Sequence, residues 1–203
     1  FFQAEDGIRD IGVTGSSDVC SSDLKSMVKP IFFLLDRSGS MEFNIDGTIE
    51  GFNAFLNEQK TLFPESLMTL WQFDHEILVS YENLKLSEVS ELNRDTFVPR
   101  GSTALLDALG TMLKQKPMGD PPMVIIFTDG QDNQSKKYTK AHVKDLIEQR
   151  TSEGWSFVYL GANQDAFAEA SVIGIQVGDT VDFDMRNTPD VFRQLSVTAS
   201  QRV

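Results

Sequence analysis

Residues 28–41 read VKPIFFLLDRSGSM, and this stretch decides the fold. Pro30 to Leu35 is an unbroken apolar run of strand length, the pattern of a strand buried on both faces. Asp36-Arg37-Ser38-Gly39-Ser40 then places three oxygen-bearing side chains within five residues, and Gly39 lets the backbone fold them towards one point. A matching unit lies at residues 121–130, PPMVIIFTDG, where Met123 to Thr128 is a second buried strand that ends on a carboxylate, Asp129.

Outward from these two strands, strand and helix patterns alternate. Ile49, Phe52, Phe55 and Leu56 fall at helical spacing and predict a helix from near Asp46. Leu67 to Phe73 alternates apolar and polar, and Asp74-His75 separates it from Glu76 to Ser80, a hairpin that puts an antiparallel strand at a sheet edge. Residues 81–101 form a long polar loop, of a length that is often functional. Thr103 to Leu113 reads as a helix, Lys136 to Arg150 as another and Trp155 to Leu160 as a strand. Gln164 to Ala170 reads as a short helix and Ile173 to Val177 as the last strand. Thr188-Pro189-Asp190 is a helix start with Val191, Phe192, Leu195 and Ala199 on its inner stripe. The expected fold is α/β: a doubly wound, mostly parallel sheet with one antiparallel edge strand and helices on both faces. In such sheets ligands sit beyond the carboxyl ends of strands, where the strand order reverses.

Residues 1–24, FFQAEDGIRDIGVTGSSDVCSSDL, have no helical or strand period. They resemble the conceptual translation of a sequencing-adapter read-through, a contaminant at the ends of gene predictions from metagenomic assemblies; the other reading is a native disordered leader. Residues 1–26 are therefore set aside as a leader, and 27–203 are read as a single domain that starts at Met27. Residues 1–24 hold five acids and one base, so residues 25–203 keep −8 of the chain's net −12, and Cys20, the one cysteine, lies outside the domain. The negative charge argues against nucleic acid or an anionic membrane as partner. A domain without cysteine or a long apolar run, in which Ile31 to Leu35 is too short for a signal-peptide core, fits the cytoplasm.

The candidate chemistry rests on three loops. Asp36, Ser38 and Ser40 follow the first strand, Asp129 follows the fourth, and Gly101-Ser102-Thr103 sets hydroxyls at the start of a helix. If the first and fourth strands are neighbours, the three loops converge. Each piece alone has a plainer reading, as turn residues or a helix cap; together, each at a strand or helix end, they make a site. Two carboxylates with several hydroxyls suit a hard dication, Mg²⁺ first, with Mn²⁺ or Ca²⁺ as alternatives. Neither His75, read as a turn residue, nor His142, read as a helix-surface one, lies in these loops, which disfavours zinc and copper. Asp132 and Asn133 either orient Asp129 or cap a helix, Asp107 caps or faces solvent, Ser102 is a hydrogen-bond donor or a loop residue, and Trp71 and Trp155 suit the core.

Asp-x-Ser-x-Ser, then Thr, then Asp resembles the metal-ion-dependent adhesion site of the von Willebrand factor type A family. IFFLLDRSGSM, FVPRGSTALLDAL and VIIFTDGQDN carry that resemblance across residues 28–203. It implies that Ser38, Ser40 and Thr103 ligate the metal directly and that Asp36 and Asp129 act largely through water. It also implies that a Glu or Asp of a partner protein completes the shell, in a complex that includes an ATPase. The competing readings are a metal-dependent phosphate-processing hydrolase using Asp36 and a purely structural metal. Aspartate-nucleophile phosphatases want a second Asp where this chain has Ser38, and no phosphate-binding glycine loop is present, so the enzyme reading is the minor one.

Overall fold

The computed structural model describes residues 30–162, 166–184 and 187–201. The leader, the proposed start at Met27 and the first residues of the helix expected from Gln164 lie outside that range. Six strands form one sheet in the order β3-β2-β1-β4-β5-β6: β1 Ile31–Asp36, β2 Leu67–Phe73, β3 Ile77–Lys85, β4 Met123–Thr128, β5 Ser156–Ala162 and β6 Thr180–Phe183. All neighbours run parallel except β2 and β3, so the antiparallel strand is at the edge, as the hairpin reading expects.

All six residues of β1 are buried because both faces of the sheet are covered. Ile31, Phe33 and Leu35 point towards α1 (Ile45–Leu62) and α5 (Thr188–Gln201). Phe32 and Leu34 point towards α2 (Leu105–Met112), α3 (Lys140–Ser152) and α4 (Ala166–Val172). On the first face Phe192 of α5 lies between strand aromatics, its ring stacked 4.9 Å from Phe127 and 6.2 Å from Phe33. Trp71 and Trp155 are buried on the second face, where Phe32 meets Trp155 edge-on at 5.6 Å.

The structure departs from the sequence reading in three places. Ile173 to Val177 is not a strand. Gly174 takes a left-handed φ of 89°, and the N–H groups of Gly174 and Ile175 donate to the carbonyls of Ser171 and Ala170, the 5→2 and 6→1 bonds that close a helix. Ile173 and Ile175 are buried as the apolar contacts of that stop, and the real last strand is β6. Second, α3 starts at Lys140, because Thr139 caps it by accepting from the His142 N–H at 3.3 Å. Third, the hairpin strand runs on to Lys85, and the expected long polar loop after it is partly core. Leu86, Val89, Leu92 and Phe97 bury themselves on the α1 face, pinned where Asn53 exchanges two hydrogen bonds with the Leu92 backbone.

Gly51 of α1 faces Phe192 so closely that a Cβ there would stand 2.3 Å from the ring. Gly51→Val is expected to cost about 1–3 kcal/mol through overpacking, read as a lowered urea midpoint with unchanged slope; an unchanged midpoint would show that α1 and α5 do not depend on this contact.

Candidate metal centre

β1 and β4 are direct neighbours, Leu35 beside Phe127, and the strand order reverses between them. The loops that leave their carboxyl ends therefore start side by side. Asp36 is the last residue of β1 and Thr128 the last of β4. Thr128 donates its hydroxyl to Asp36 Oδ2 at 2.5 Å, and the Ser38 N–H donates to Oδ1 at 2.6 Å, so both oxygens of this fully buried carboxylate are engaged. The Ser38 and Ser40 hydroxyls lie 3.1 Å apart, and Ser40 donates to Asp129 Oδ1 at 2.7 Å. A Cβ on Gly130 would stand 3.4 Å from Thr103 Oγ1 and 3.8 Å from Ser40 Oγ, which places Thr103 on the same spot. All five residues singled out in the sequence thus converge: Asp36, Ser38 and Thr103 buried, Asp129 nearly so, and Ser40 facing outward.

Neither Asp36 nor Asp129 forms an ion pair among the described residues. Burial pushes Asp36 up to about 7 against the opposing hydrogen bonds of Thr128 and Ser38, with the Asp129 charge adding to the rise. Asp129 is raised as well, again mainly by burial. An array of two buried, uncompensated carboxylates and three hydroxyls is one that a divalent cation fits, since it supplies the missing positive charge to oxygen donors.

The loops are held by a third buried carboxylate that the sequence reading passed over. Asp74 receives Arg100 Nε at 2.9 Å and lies 3.1 Å from Arg37 Nε, an ion pair without a well-aligned hydrogen bond. It also accepts the Glu76 N–H, while its own carbonyl accepts from the Ala104 N–H. One residue of the hairpin turn so ties the β1 loop to the loop that carries Thr103. Backbone bonds from Gly39 N–H to the Gly101 carbonyl and from Arg100 N–H to the Arg37 carbonyl complete the link. Gly101 takes a φ of 68°, and a Cβ there would meet His75 Nδ1 at 2.4 Å. Asp74, His75 and Glu76 bring ligand atoms within 4.8 Å of one another, but the guanidinium groups already occupy both carboxylates.

The open readings resolve as follows. Asn133 holds Thr103, accepting its N–H at 3.0 Å and donating to its carbonyl; Asp132 accepts from Leu106 N–H and the Ser135 hydroxyl at the start of α2. Asp107 neither caps α2 nor faces solvent unpartnered. It receives the N–H groups of Lys136, Lys137 and Tyr138, and although partial burial works to raise it, these bonds hold it below the ordinary carboxylate range. His75 and His142 are exposed, and Ser102 is half-buried in its loop.

Two measurements check this account. Asp74→Ala is expected to cost on the order of 3 kcal/mol, because it leaves Arg37 without its buried partner, whereas Glu76→Ala on the surface should change unfolding by less than about 1 kcal/mol. Equal effects would remove Asp74 from its place as anchor. The second concerns pH in the presence of a chelator. With Asp36 raised to about 7 from 3.8, the folded chain holds a proton that the unfolded chain gives up. This contribution is complete below about pH 4 and lost as pH rises through 7, about 4 kcal/mol in all. Asp36→Asn should flatten that part of the stability profile; an unchanged slope between pH 5 and 8 would refute the shift.

No protein-family profile and no curated protein matches the sequence. Solved structures do match in shape. Proximal thread matrix protein 1 from the mussel byssus, in a form with a zinc-occupied MIDAS motif, superposes with a TM-score of 0.63 at 15% identity, over 86% of this chain and 48% of its own. The von Willebrand factor domain of the type V pilus tip protein Mfa5 from Porphyromonas gingivalis gives 0.66 at 11% identity, over 87% and 96%. Manganese-loaded Plasmodium vivax TRAP gives 0.60 at 16%, over 84% and 74%. This chain spans about half the length of the mussel protein. At these identities the likeness speaks to architecture, and the architecture is the von Willebrand factor type A fold.

Proposed function

We propose that this chain is a metal-dependent protein-binding domain of the von Willebrand factor type A family. Asp36, Ser38, Ser40, Thr103 and Asp129 hold a divalent cation, Mg²⁺ in first place, and a Glu or Asp of a partner protein completes its shell. The observation that carries this reading is the pair of buried carboxylates, Asp36 and Asp129, with no ion-pair partner among the described residues, beside the hydroxyls of Ser38 and Ser40. When bound, the cation supplies a Lewis-acidic position that attracts an anionic oxygen. The chain's own residues set where that position is. Thr128 and the Ser38 N–H fix the Asp36 carboxylate, Ser40 orients Asp129, and Asn133 holds Thr103 by its backbone. Ser40 is exposed, so the assembled donors open outward to a partner. The zinc-occupied motif of the mussel protein and the manganese-loaded TRAP support the choice of a divalent ion. The partner, including one within an ATPase-containing complex, is part of this proposal.

The hydrolase reading fits less well, because the Asp36 side chain is wholly buried and exposes no oxygen that could attack an incoming phosphate directly. Among the described residues no helix is long and apolar enough to cross a membrane.

Calorimetric titration with Mg²⁺ and with Mn²⁺ tests the proposal. Saturable binding is expected, with a rise in unfolding free energy of about 2.7 kcal/mol at a hundredfold excess over Kd. Asp36→Ala should abolish the binding while leaving the circular dichroism spectrum intact. A pull-down with and without chelator then reads partner capture. Binding of metal with capture indifferent to chelator would leave a structural ion in place of the adhesion site.

A further inference from the structure

β3 is an edge strand, and no strand pairs with its outer side among the described residues. Its two halves differ. The second half carries Glu82, Asn83 and Lys85, and it is kinked by register shifts opposite Met68 to Trp71 and by the left-handed φ of 49° at Asn83. These are devices that stop a sheet edge from taking up another strand. The first half has none of them. Ile77, Leu78 and Val79 pair with Phe73, Gln72 and Trp71 in unbroken register and are 36%, 40% and 47% exposed. Three consecutive exposed apolar residues on a regular, unpaired edge are what the lower half of the same strand is built to avoid.

Ile77 and Val79 share the sheet face of their partners Phe73 and Trp71, the face that α2 covers further in. Between β3 and α2 the cover stops, and a cleft of about 440 Å³ opens with Ile77 on one wall and Ala104, Ala108 and Thr111 on the other. The acids around it are already engaged: Asp74 by Arg37 and Arg100, Glu76 by Arg100, and Asp107 by three backbone N–H groups. Lys140 and Lys144 have carboxylate partners in Glu169 and Glu148. Lys136 and Lys137, which line the cleft and are exposed, form no ion pair among the described residues, although the Lys137 charge also acts on Asp107.

We propose that this cleft is a second binding site, separate from the metal centre. It takes an extended peptide segment of another protein, which adds to the sheet beside Ile77–Tyr81 and presents apolar and acidic side chains on one face. Main-chain hydrogen bonds to the free edge hold the segment, and the cleft selects its side chains. The apolar one fills the space between Ile77 and Ala108, and the acidic one faces Lys136 and Lys137. A second copy of this chain is the competing occupant, and the test below distinguishes it.

The test uses the full chain in chelator, so that the metal centre contributes nothing, and fluorescence anisotropy of three labelled octapeptides. The first alternates Thr with Val and Glu (Thr-Val-Thr-Glu, twice), the second carries Lys for Glu, and the third carries Pro for Thr and so cannot pair. Saturable binding is expected for the first, roughly tenfold weaker binding for the second, and none for the third. Val79→Lys, at an exposed position, should weaken the first peptide at least roughly tenfold. Lys136→Glu with Lys137→Glu, a pair of surface changes, should reverse the order of the first two peptides. No saturable binding of the first peptide, equal binding of the proline peptide, or indifference to both variants would overturn the proposal. So would self-association of the free chain that Val79→Lys abolishes, since the occupant would then be a second copy.

Discussion

Among the described residues three carboxylates leave water when this chain folds, and the molecule deals with them in two ways. Asp74 is wholly buried and meets Arg37 and Arg100, so its charge is answered inside the protein. Asp36 is equally buried and Asp129 nearly so, yet Asp36 is met by the Thr128 hydroxyl and the Ser38 N–H and Asp129 by the Ser40 hydroxyl, with no cation paired to either among the described residues. Hydrogen bonds lower the cost of burying an anion but do not cancel it, which is why burial still leads the upward shift of Asp36. The asymmetry is built by the sheet itself. Because β1 and β4 are adjacent and parallel, the two acids at their carboxyl ends are forced towards each other, and the one cation that follows them directly, Arg37, is paired with Asp74 instead.

The compensated carboxylate makes the uncompensated pair possible. Loops that carry poorly solvated charge would drift apart to regain water unless something fixed them. Asp74 links the Arg37 and Arg100 segments, Asn133 holds the Thr103 backbone from the β4 side, and Asp107 gathers the N–H groups of residues 136–138. Each anchor reaches from one segment to another, so the five oxygen donors are held in part by residues that are not donors themselves. This is the arrangement expected of a preorganised site, in which neighbours of the donors help to set the geometry.

Much of this was legible in the sequence, and the parts that were not share a cause. Strand-length apolar runs identify β1 and β4 because a parallel strand is buried on both faces, and Asp36, Ser38, Ser40, Thr103 and Asp129 stand out because oxygen donors there lie at loop positions of known kind. Ile173 to Val177 misled because Ile173, Ile175 and Val177 alternate as a strand would, while the deciding residue, Gly174, acts through a backbone conformation that composition does not display. Asp74 and Asp107 stayed hidden for a different reason. An Asp in a hairpin turn or in the first turn of a helix is ordinary, and only the fold reveals that Arg100 lies 26 residues on and Lys136 to Tyr138 about 30 residues on, in reach of those carboxylates. The residues of the long loop, Leu86 to Phe97, are sparse in apolar side chains, and their spacing follows no period because they pack as an irregular segment beside α1 on the same core.

Stability and binding are therefore coupled in this molecule through one electrostatic quantity. If Asp36 and Asp129 had arginine partners as Asp74 has, the fold would be firmer and a dication would have to displace a guanidinium to enter, with little net gain. Leaving them unanswered costs the fold stability that a bound cation would return, and under the proposed function that free energy would be the source of the ion's affinity. The same reasoning explains why Asp74, His75 and Glu76 do not make a second centre although their ligand atoms cluster as closely as a metal would need. Their charge is spent on Arg37 and Arg100. What separates a site from a scaffold in this structure is thus not the density of acidic groups but whether the protein has already supplied the opposite charge.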